Sequence, residues 1–411
     1  MKSKREKVVI IGGSMAGLFA AISLKSLGFE VSLYERANSS LANRGAGIAT
    51  HKELYDALDN AGVQLQQKMG IESIGRQLLG KNGDTSHREI MKQTMSSWGL
   101  IYRFLRSQID DREYTSGATL TTLDSGQDKK VLIGFGNGKI VKADWVIGAD
   151  GMHSKVRELL NPKARPTYAG YLAWRGLIEE SLIKKTVLQS VANVITFGSA
   201  PGGHWLGYLV AGKHDNLTTG KRWYNWGWYR HASTESLKEH LIGQDKKYYK
   251  NGIPHNLIRQ DLIDGMRAEA ARYLAPQIQK IISATSRPFI QGMYDVGSDR
   301  LVFDRIILIG DAAFTARPHV GLGVSKAAED AATLAKALAD RSRDEALNSW
   351  EKDRLRYGLA TLRWGRDLGS HILPAEFDIK KDTKGYYYSS PEVLITQNAS
   401  NEPRKHLSSY L

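Results

Sequence analysis

The sequence predicts a mixed α/β and α+β fold, in which a parallel βαβ layer is interleaved with a mostly antiparallel β-sheet layer and followed by C-terminal helices. Three observations predict it. An apolar run at 8–11, a glycine-rich turn and a helical pattern closed by Gly28 lead into a second apolar strand at 31–34. Two later strands, 145–147 and 305–309, also end in turns that contain Gly and Asp. Between them, 166–285 reads mostly as strand.

The first turn is Gly12-Gly13-Ser14-Met15-Ala16-Gly17, with Leu18, Ala21, Ile22 and Leu24 on the apolar face of the helix that follows. Such a Rossmann-like turn brings backbone N–H groups and a positive helix end to a pyrophosphate, and the next strand delivers Glu35, with Arg36 beside it, to a ribose hydroxyl pair. Ser14 replaces the middle glycine, so an ordinary βαβ turn is the alternative reading of this segment alone.

The second turn, Asp150-Gly151-Met152-His153-Ser154-Lys155-Val156-Arg157, follows a strand preceded by a hairpin turn at Gly136-Asn137-Gly138. In the third, Gly310-Asp311 places a carboxylate to accept from a ribitol hydroxyl. Pro318-His319-Val320-Gly321-Leu322-Gly323 then starts a helix over 325–339, whose positive end suits the charge that develops on a reduced flavin. The three turns make sense together around one dinucleotide, and FAD is the expected cofactor.

With these motifs the chain resembles the flavoprotein aromatic hydroxylases, the p-hydroxybenzoate hydroxylase-like class, from about residue 7 to about 370. Segments 166–176, 254–257 and 310–319 are most similar to its 2,6-dihydroxypyridine branch. Phe314 departs from the His that follows Gly-Asp-Ala-Ala in much of the class. The resemblance implies an FAD-dependent monooxygenase that uses NADH or NADPH and O₂. Through a flavin C4a-hydroperoxide it would hydroxylate a small electron-rich aromatic or N-heteroaromatic ring, 2,6-dihydroxypyridine-like first. A urate- or salicylate-type hydroxylase of the same class is the first alternative, and a flavin-binding protein without oxygenase activity the second. A homodimer is expected from the family only.

Composition agrees with an enzyme of this kind. The 411 residues, 42% of them hydrophobic, can bury a large core. No cysteine is present, which excludes disulfides, thiolate catalysis and cysteine-built metal sites, so redox chemistry falls to a bound cofactor. The net charge of +14 is spread along the chain and reads as solvated surface rather than a nucleic-acid site. The longest stretch free of charged residues, 186–212, is broken by Pro and Gly and reads as sheet, and four apolar residues after the basic start do not make a signal peptide. A cytoplasmic enzyme with no metal, nucleic-acid or membrane partner is expected.

Residues 1–72, 92–165 and 286–345 are expected to form the FAD-binding layer, 73–91 and 166–285 the substrate layer, and 346–411 a C-terminal helix to about Ile372 with an irregular tail, packed on the surface or a partner subunit. The cofactor residues expected are Gly12, Ser14, Met15, Gly17, Glu35, Arg36, Asp150, Asp311, Gly321, Leu322 and Gly323, together with Arg44 and Gly47 in a glycine-rich loop. The resemblance adds Arg103, as the class arginine near the ribityl phosphate, on a helix over 101–109.

His319 is the candidate catalytic base, because histidine titrates near neutrality and the loop passes the flavin edge; a structural hydrogen bond is the alternative. His51 reads as the first turn of a helix capped by Thr50, with Glu53 completing a capping box. For the substrate, Pro318 and His319 are joined by Trp174, Trp226 and Trp228, the tryptophans lying on strands of which one face could form the ring-binding wall and the other sheet core.

Overall fold

In a computed structural model, residues 5–43, 46–65, 67–125, 129–373, 387–388 and 390–411 are described. Arg44 lies outside them.

Val8, Val9 and Ile10 are wholly buried because the strand Lys7–Ile11 is central in its sheet and covered on both faces. The sheet has six strands in the order Val302–Phe303, Ile306–Leu308, Trp145–Gly148, Lys7–Ile11, Glu30–Tyr34, Tyr114–Thr115. All neighbours are parallel except the outer pair, Val302–Phe303 with Ile306–Leu308. Helices Met15–Ser26 and Lys52–Asn60 pack against Gly323–Ala339, which starts two residues before the expected 325.

The second layer is an eight-stranded sheet ordered Phe314–Thr315, Phe289–Gly297, Thr167–Glu179, Trp223–His231, Gly203–Val210, Val194–Ala200, Gly75–Leu79, Thr85–Glu89. Its one parallel contact joins Val194–Ala200 to Gly75–Leu79. The amphipathic stretch expected over 257–282 is two helices, Gln260–Tyr273 and Pro276–Ala284, divided by a proline that cannot continue the first. They cover one face of the sheet and leave the other to the cavity.

Several expectations are corrected here. Phe289–Gly297, placed by sequence in the FAD-binding layer, pairs with Thr167–Glu179 in the antiparallel sheet. The stretch 186–212 contains most of a helix, Lys185–Val191, before its two strands. Thr50 does not cap the helix after it. His51 occupies the N-cap, and its ring lies 3.1 Å from Ser325 Oγ and 2.9 Å from the Ser400 carbonyl. The tail is not irregular throughout: after the long helix Arg343–Gly369, the described part holds helices Pro391–Gln397 and Pro403–Leu407, and it packs into the molecule beside the cavity.

Candidate active site

The three turns meet at one cavity of about 880 Å³ between the two layers. Gly12 turns away from its strand at φ +110°, and a Cβ there would lie 2.3 Å from the Ala149 carbonyl oxygen. The chain thus enters the helix Met15–Ser26 with Ser14, Met15 and Ala16 on the cavity wall and the first N–H groups of the helix without intrahelical partners. Glu35 is held in place by the backbone: Gly13 N donates to Oε2 at 2.7 Å and Ala37 N to Oε1 at 2.9 Å. Each oxygen keeps a lone pair for a ligand hydroxyl.

Asp150 caps the short helix Lys155–Leu160, accepting from Lys155 N at 2.7 Å and Val156 N at 3.2 Å. Burial pushes its carboxyl up, and these bonds with that of Ser154 partly offset the rise. Arg157 then ties the second turn to the third, donating to the Ala312 carbonyl at 2.8 Å.

Behind the third turn lies a buried ion network. Gly310 N donates to Asp330 Oδ2 at 2.9 Å, Lys326 Nζ to the Gly310 carbonyl at 2.9 Å, and Arg354 Nε to Asp330 Oδ1 at 2.7 Å. Asp311 faces the cavity with protein on its other sides. Enclosure raises its carboxyl and the Asp330 charge adds to this, against Lys326 and Arg157. Leu322 and Gly323 bring the N-terminus of the Gly323–Ala339 helix to the same wall.

This lining fits FAD. It offers two helix N-termini, a backbone cradle that a side chain at Gly12 would fill, and acids at Glu35 and Asp311 where a dinucleotide has hydroxyls.

The far end of the cavity is built by the antiparallel sheet. Arg175, Tyr208, Asn225, Tyr229, Gln291 and Met293 face Gly47 and the Pro318–Val320 turn. Asn225 Oδ1 accepts from Gly47 N at 2.9 Å, which fixes the glycine loop against the sheet. Arg175 Nη1 donates to Gln291 Oε1 at 2.8 Å, and among the described residues no carboxylate pairs with it. Its charge is felt by Tyr208 and Tyr229, whose hydroxyls burial pushes up and Arg175 draws partly back. Arg317, by contrast, is paired with Asp295 at 3.1 Å, a carboxylate it shares with Arg366.

His319 is buried, with Nε2 2.8 Å from the Tyr171 hydroxyl and its ring 4.4 Å from that of Tyr229. Burial drives its pKa well below the ordinary value, and His371 and Arg317 reinforce the effect. The ring is therefore neutral at pH 7.

The structure brings to this one cavity Gly12, Ser14, Met15, Glu35, Arg36, Gly47, Asp150, Asp311, Pro318, His319, Gly321, Leu322 and Gly323. Others fall elsewhere. Gly17 lies behind the wall, where a Cβ would meet the Gly12 carbonyl oxygen at 1.9 Å; its part is close helix-to-strand packing. Arg103 turns away from the cavity, its Nε 2.8 Å from Asp215 and its Nη1 donating to the Ala42 carbonyl. Trp174, Trp226 and Trp228 do not line the cavity, because they point from the other face of the sheet into the core beneath the two helices. On the strand Trp223–His231 the intervening Asn225, Gly227 and Tyr229 face the cavity instead. That alternation of small or polar residues with tryptophans was the signal for the wall. Lys326 and Asn398 also line the cavity and had no local signature.

A dinucleotide cradle that opens onto a small polar end is the site of a flavoprotein oxidoreductase. Residues 7–87 match the pyridine nucleotide-disulphide oxidoreductase family and residues 168–295 the FAD binding domain-like family. Over 379 residues the chain is 31% identical to the 2,6-dihydroxypyridine 3-monooxygenase of Paenarthrobacter nicotinovorans, spanning 90% of this chain and 93% of that protein. The structure of 2,6-dihydroxypyridine-3-hydroxylase from Arthrobacter nicotinovorans superposes with a TM-score of 0.84 at 28% identity, covering 90% of this chain and 93% of that one. HpxO of Klebsiella pneumoniae, complexed with FAD and uric acid, shares the fold with a TM-score of 0.74 at 20% identity, covering 98% and 96%. The chain belongs to the family of FAD-dependent aromatic monooxygenases, enzymes that use NADH or NADPH as reductant. Among the described residues no helix is long and apolar enough to cross a membrane.

Proposed function

We propose that this enzyme hydroxylates a small, planar, electron-rich N-heteroaromatic ring of the 2,6-dihydroxypyridine kind. The observation that carries the reading is Arg175, a cation with no acid partner among the described residues, facing the far end of the cavity beside Tyr208, Asn225 and Gln291. A positive charge close to a ring hydroxyl favours its ionised form, and an ionised hydroxyl makes the neighbouring carbon more nucleophilic. Arg175 thus binds and activates the ring together. Asn225 and Gln291 offer hydrogen-bonding groups to ring nitrogen and oxygen atoms.

Ile195, Phe197, Leu206 and Met293 make the apolar sides that exclude water. Bound FAD supplies the electron transfer and oxygen activation, and we assign its holding to Glu35, Asp311, Ser14 and the two helix N-termini. His319 and Pro318 close the ring end of the same wall, and the neutral His319 leaves Arg175 as the charge that the ring meets. A cytoplasmic setting, where NADH and NADPH are available, suits this chemistry.

The test is oxidation of NADH and NADPH by flavin-loaded protein with a panel of hydroxypyridines, urate and hydroxybenzoates, followed by ¹⁸O₂ labelling. Stimulation by a hydroxypyridine with ¹⁸O in the product is expected. Stimulation by urate alone would move the substrate to the purine type, and absence of ¹⁸O with every ring would leave a flavoprotein without oxygenase activity.

A further inference from the structure

Two atoms at the edge of the cavity complement each other. Asn398 is buried, and its Nδ2 donates to the Leu394 carbonyl at 3.0 Å. That bond fixes the orientation of the amide, since the reverse would set two carbonyl oxygens together. Oδ1 is then the atom presented to His319, and the Asn398 side chain favours the protonated ring there. Oδ1 of Asn398 and Nδ1 of His319 are both buried polar atoms without a hydrogen-bond partner among the described residues. The backbones are joined at the same place, with Ala399 N donating to the His319 carbonyl at 2.6 Å.

The segment that carries Asn398 is clamped. Arg76 is fully buried and pairs with no carboxylate among the described residues, and its guanidinium donates to the carbonyls of Ile395 at 2.9 Å, Asn398 and Ala399, and to Gln93 Oε1 at 2.7 Å. These carbonyls belong to the C-terminal end of the helix Pro391–Gln397 and the residues after it, where a cation is favoured. Ala399 takes φ +47°, a left-handed conformation that a residue with a Cβ rarely holds without surrounding constraint. It interlocks with Gly321, where a Cβ would come 2.8 Å from Ala399.

We propose that Asn398 is a positioning residue of the active site, whose side-chain carbonyl accepts the Nδ1 proton of His319 and so fixes the tautomer and orientation of that ring. Nε2 is then the lone-pair nitrogen, and the Tyr171 hydroxyl donates to it. The other titratable and charged groups about the ring are Tyr229, His204, His371 and Arg317, the last paired with Asp295. None of them is a carboxylate in contact with His319, so a neutral amide alone sets the Nδ1 side. This inference rests on the reading of the cavity as the hydroxylation site only for its kinetic consequence.

Long-range ¹H–¹⁵N NMR on histidine-labelled, flavin-loaded protein tests it without any substrate, the His319 signals being assigned by their loss in His319→Asn. The Nδ1–H tautomer at pH 7 is expected in the wild type, with loss of that preference in Asn398→Leu. In Asn398→Asp, a carboxylate beside Nδ1 raises the titration midpoint of His319 by about 1–3 pH units. The pH profile of ring-stimulated NAD(P)H oxidation moves in the same direction. An Nε2–H tautomer in the wild type, or an unchanged tautomer in a folded Asn398→Leu, overturns the proposal. Should no ring stimulate NAD(P)H oxidation, the hydroxylase reading fails while the NMR result still decides the role of Asn398.

Discussion

The Tyr171 hydroxyl and Nε2 of His319 lie 2.8 Å apart, and both side chains are closed to solvent. The pair joins the long strand Thr167–Glu179 to the turn Pro318–Val320 at the ring end of the cavity. Replacing Tyr171 with Phe leaves Nε2 buried without a hydrogen-bond partner, at a cost of about 1–3 kcal/mol. A lower denaturation midpoint with flavin content unchanged is the expected outcome, and an unaltered midpoint would remove the bond from the stability of the site.

Three histidines meet behind the wall, and their burial has a definite pH signature. His371 is held down to about 4, and His204 and His319 well below the ordinary value, in each case first by burial. In the unfolded chain all three take a proton near pH 6.5. Their contribution to stability is therefore fully present above that pH. Below it the unfolded state binds the extra protons and stability falls, by about 1.4 kcal/mol per pH unit for each histidine. Denaturation followed between pH 7 and 4.5 should show a smaller acid loss for His371→Asn than for the wild type. Parallel curves would show that His371 does not titrate in this way.

Asp311 faces the cavity from the third turn, among Lys326, Asp330 and Arg157. Removing its carboxylate in Asp311→Ala deletes an acceptor for a cofactor hydroxyl, worth about 1.5–3 kcal/mol. Flavin affinity, measured by fluorescence titration of apoprotein, should fall by about tenfold to a hundredfold. An unchanged affinity would place the cofactor elsewhere in the cavity.

The two faces of the antiparallel sheet predict opposite phenotypes. Arg175→Met should raise KM for the ring at least about tenfold, since a charge-assisted contact is lost, and leave folding intact. Trp226 donates from Nε1 to Thr285 Oγ1 at 2.9 Å within the core. Trp226→Phe should cost about 1–3 kcal/mol of stability and leave KM unchanged. A KM change in Trp226→Phe larger than that in Arg175→Met would reverse the assignment of the faces.

The cofactor cradle was legible because each turn depends on local rules: a strand end, a glycine at a conformation or approach that other residues resist, and an acid at fixed offset. Gly12, Glu35, Asp311 and the 321–323 turn are all of this type. The ring end was less legible, because alternation along Trp223–His231 separates two faces without saying which one the helices cover. Residue size was the better guide, tryptophans filling the core while Asn225 and Gly227 left room. Arg103 was misread because its partner, Asp215, lies 112 residues away at a turn with φ +60°. Arg76, deep in the structure where burial pushes its guanidinium down to about 9, carried no sign that the chain near residue 398 would return to meet it.

The parallel sheet also imposes an order in time. Val9 has Val146 as its neighbour, and Ile147 has Ile307, so one side of the central strand waits for Trp145–Gly148, which in turn waits for a strand made much later. The antiparallel ladder from Val194 to His231 closes through near-neighbour hairpins and has no such delay. The hairpin strands that carry Tyr208, Asn225 and Tyr229 are therefore complete before Gln291 and Met293 join them, and the dinucleotide cradle remains an open edge until the strand Ile306–Leu308 and the carboxylate of Asp311 have been made. The place for the flavin is thus finished only near the end of synthesis, once the chain around Asp311 has been made.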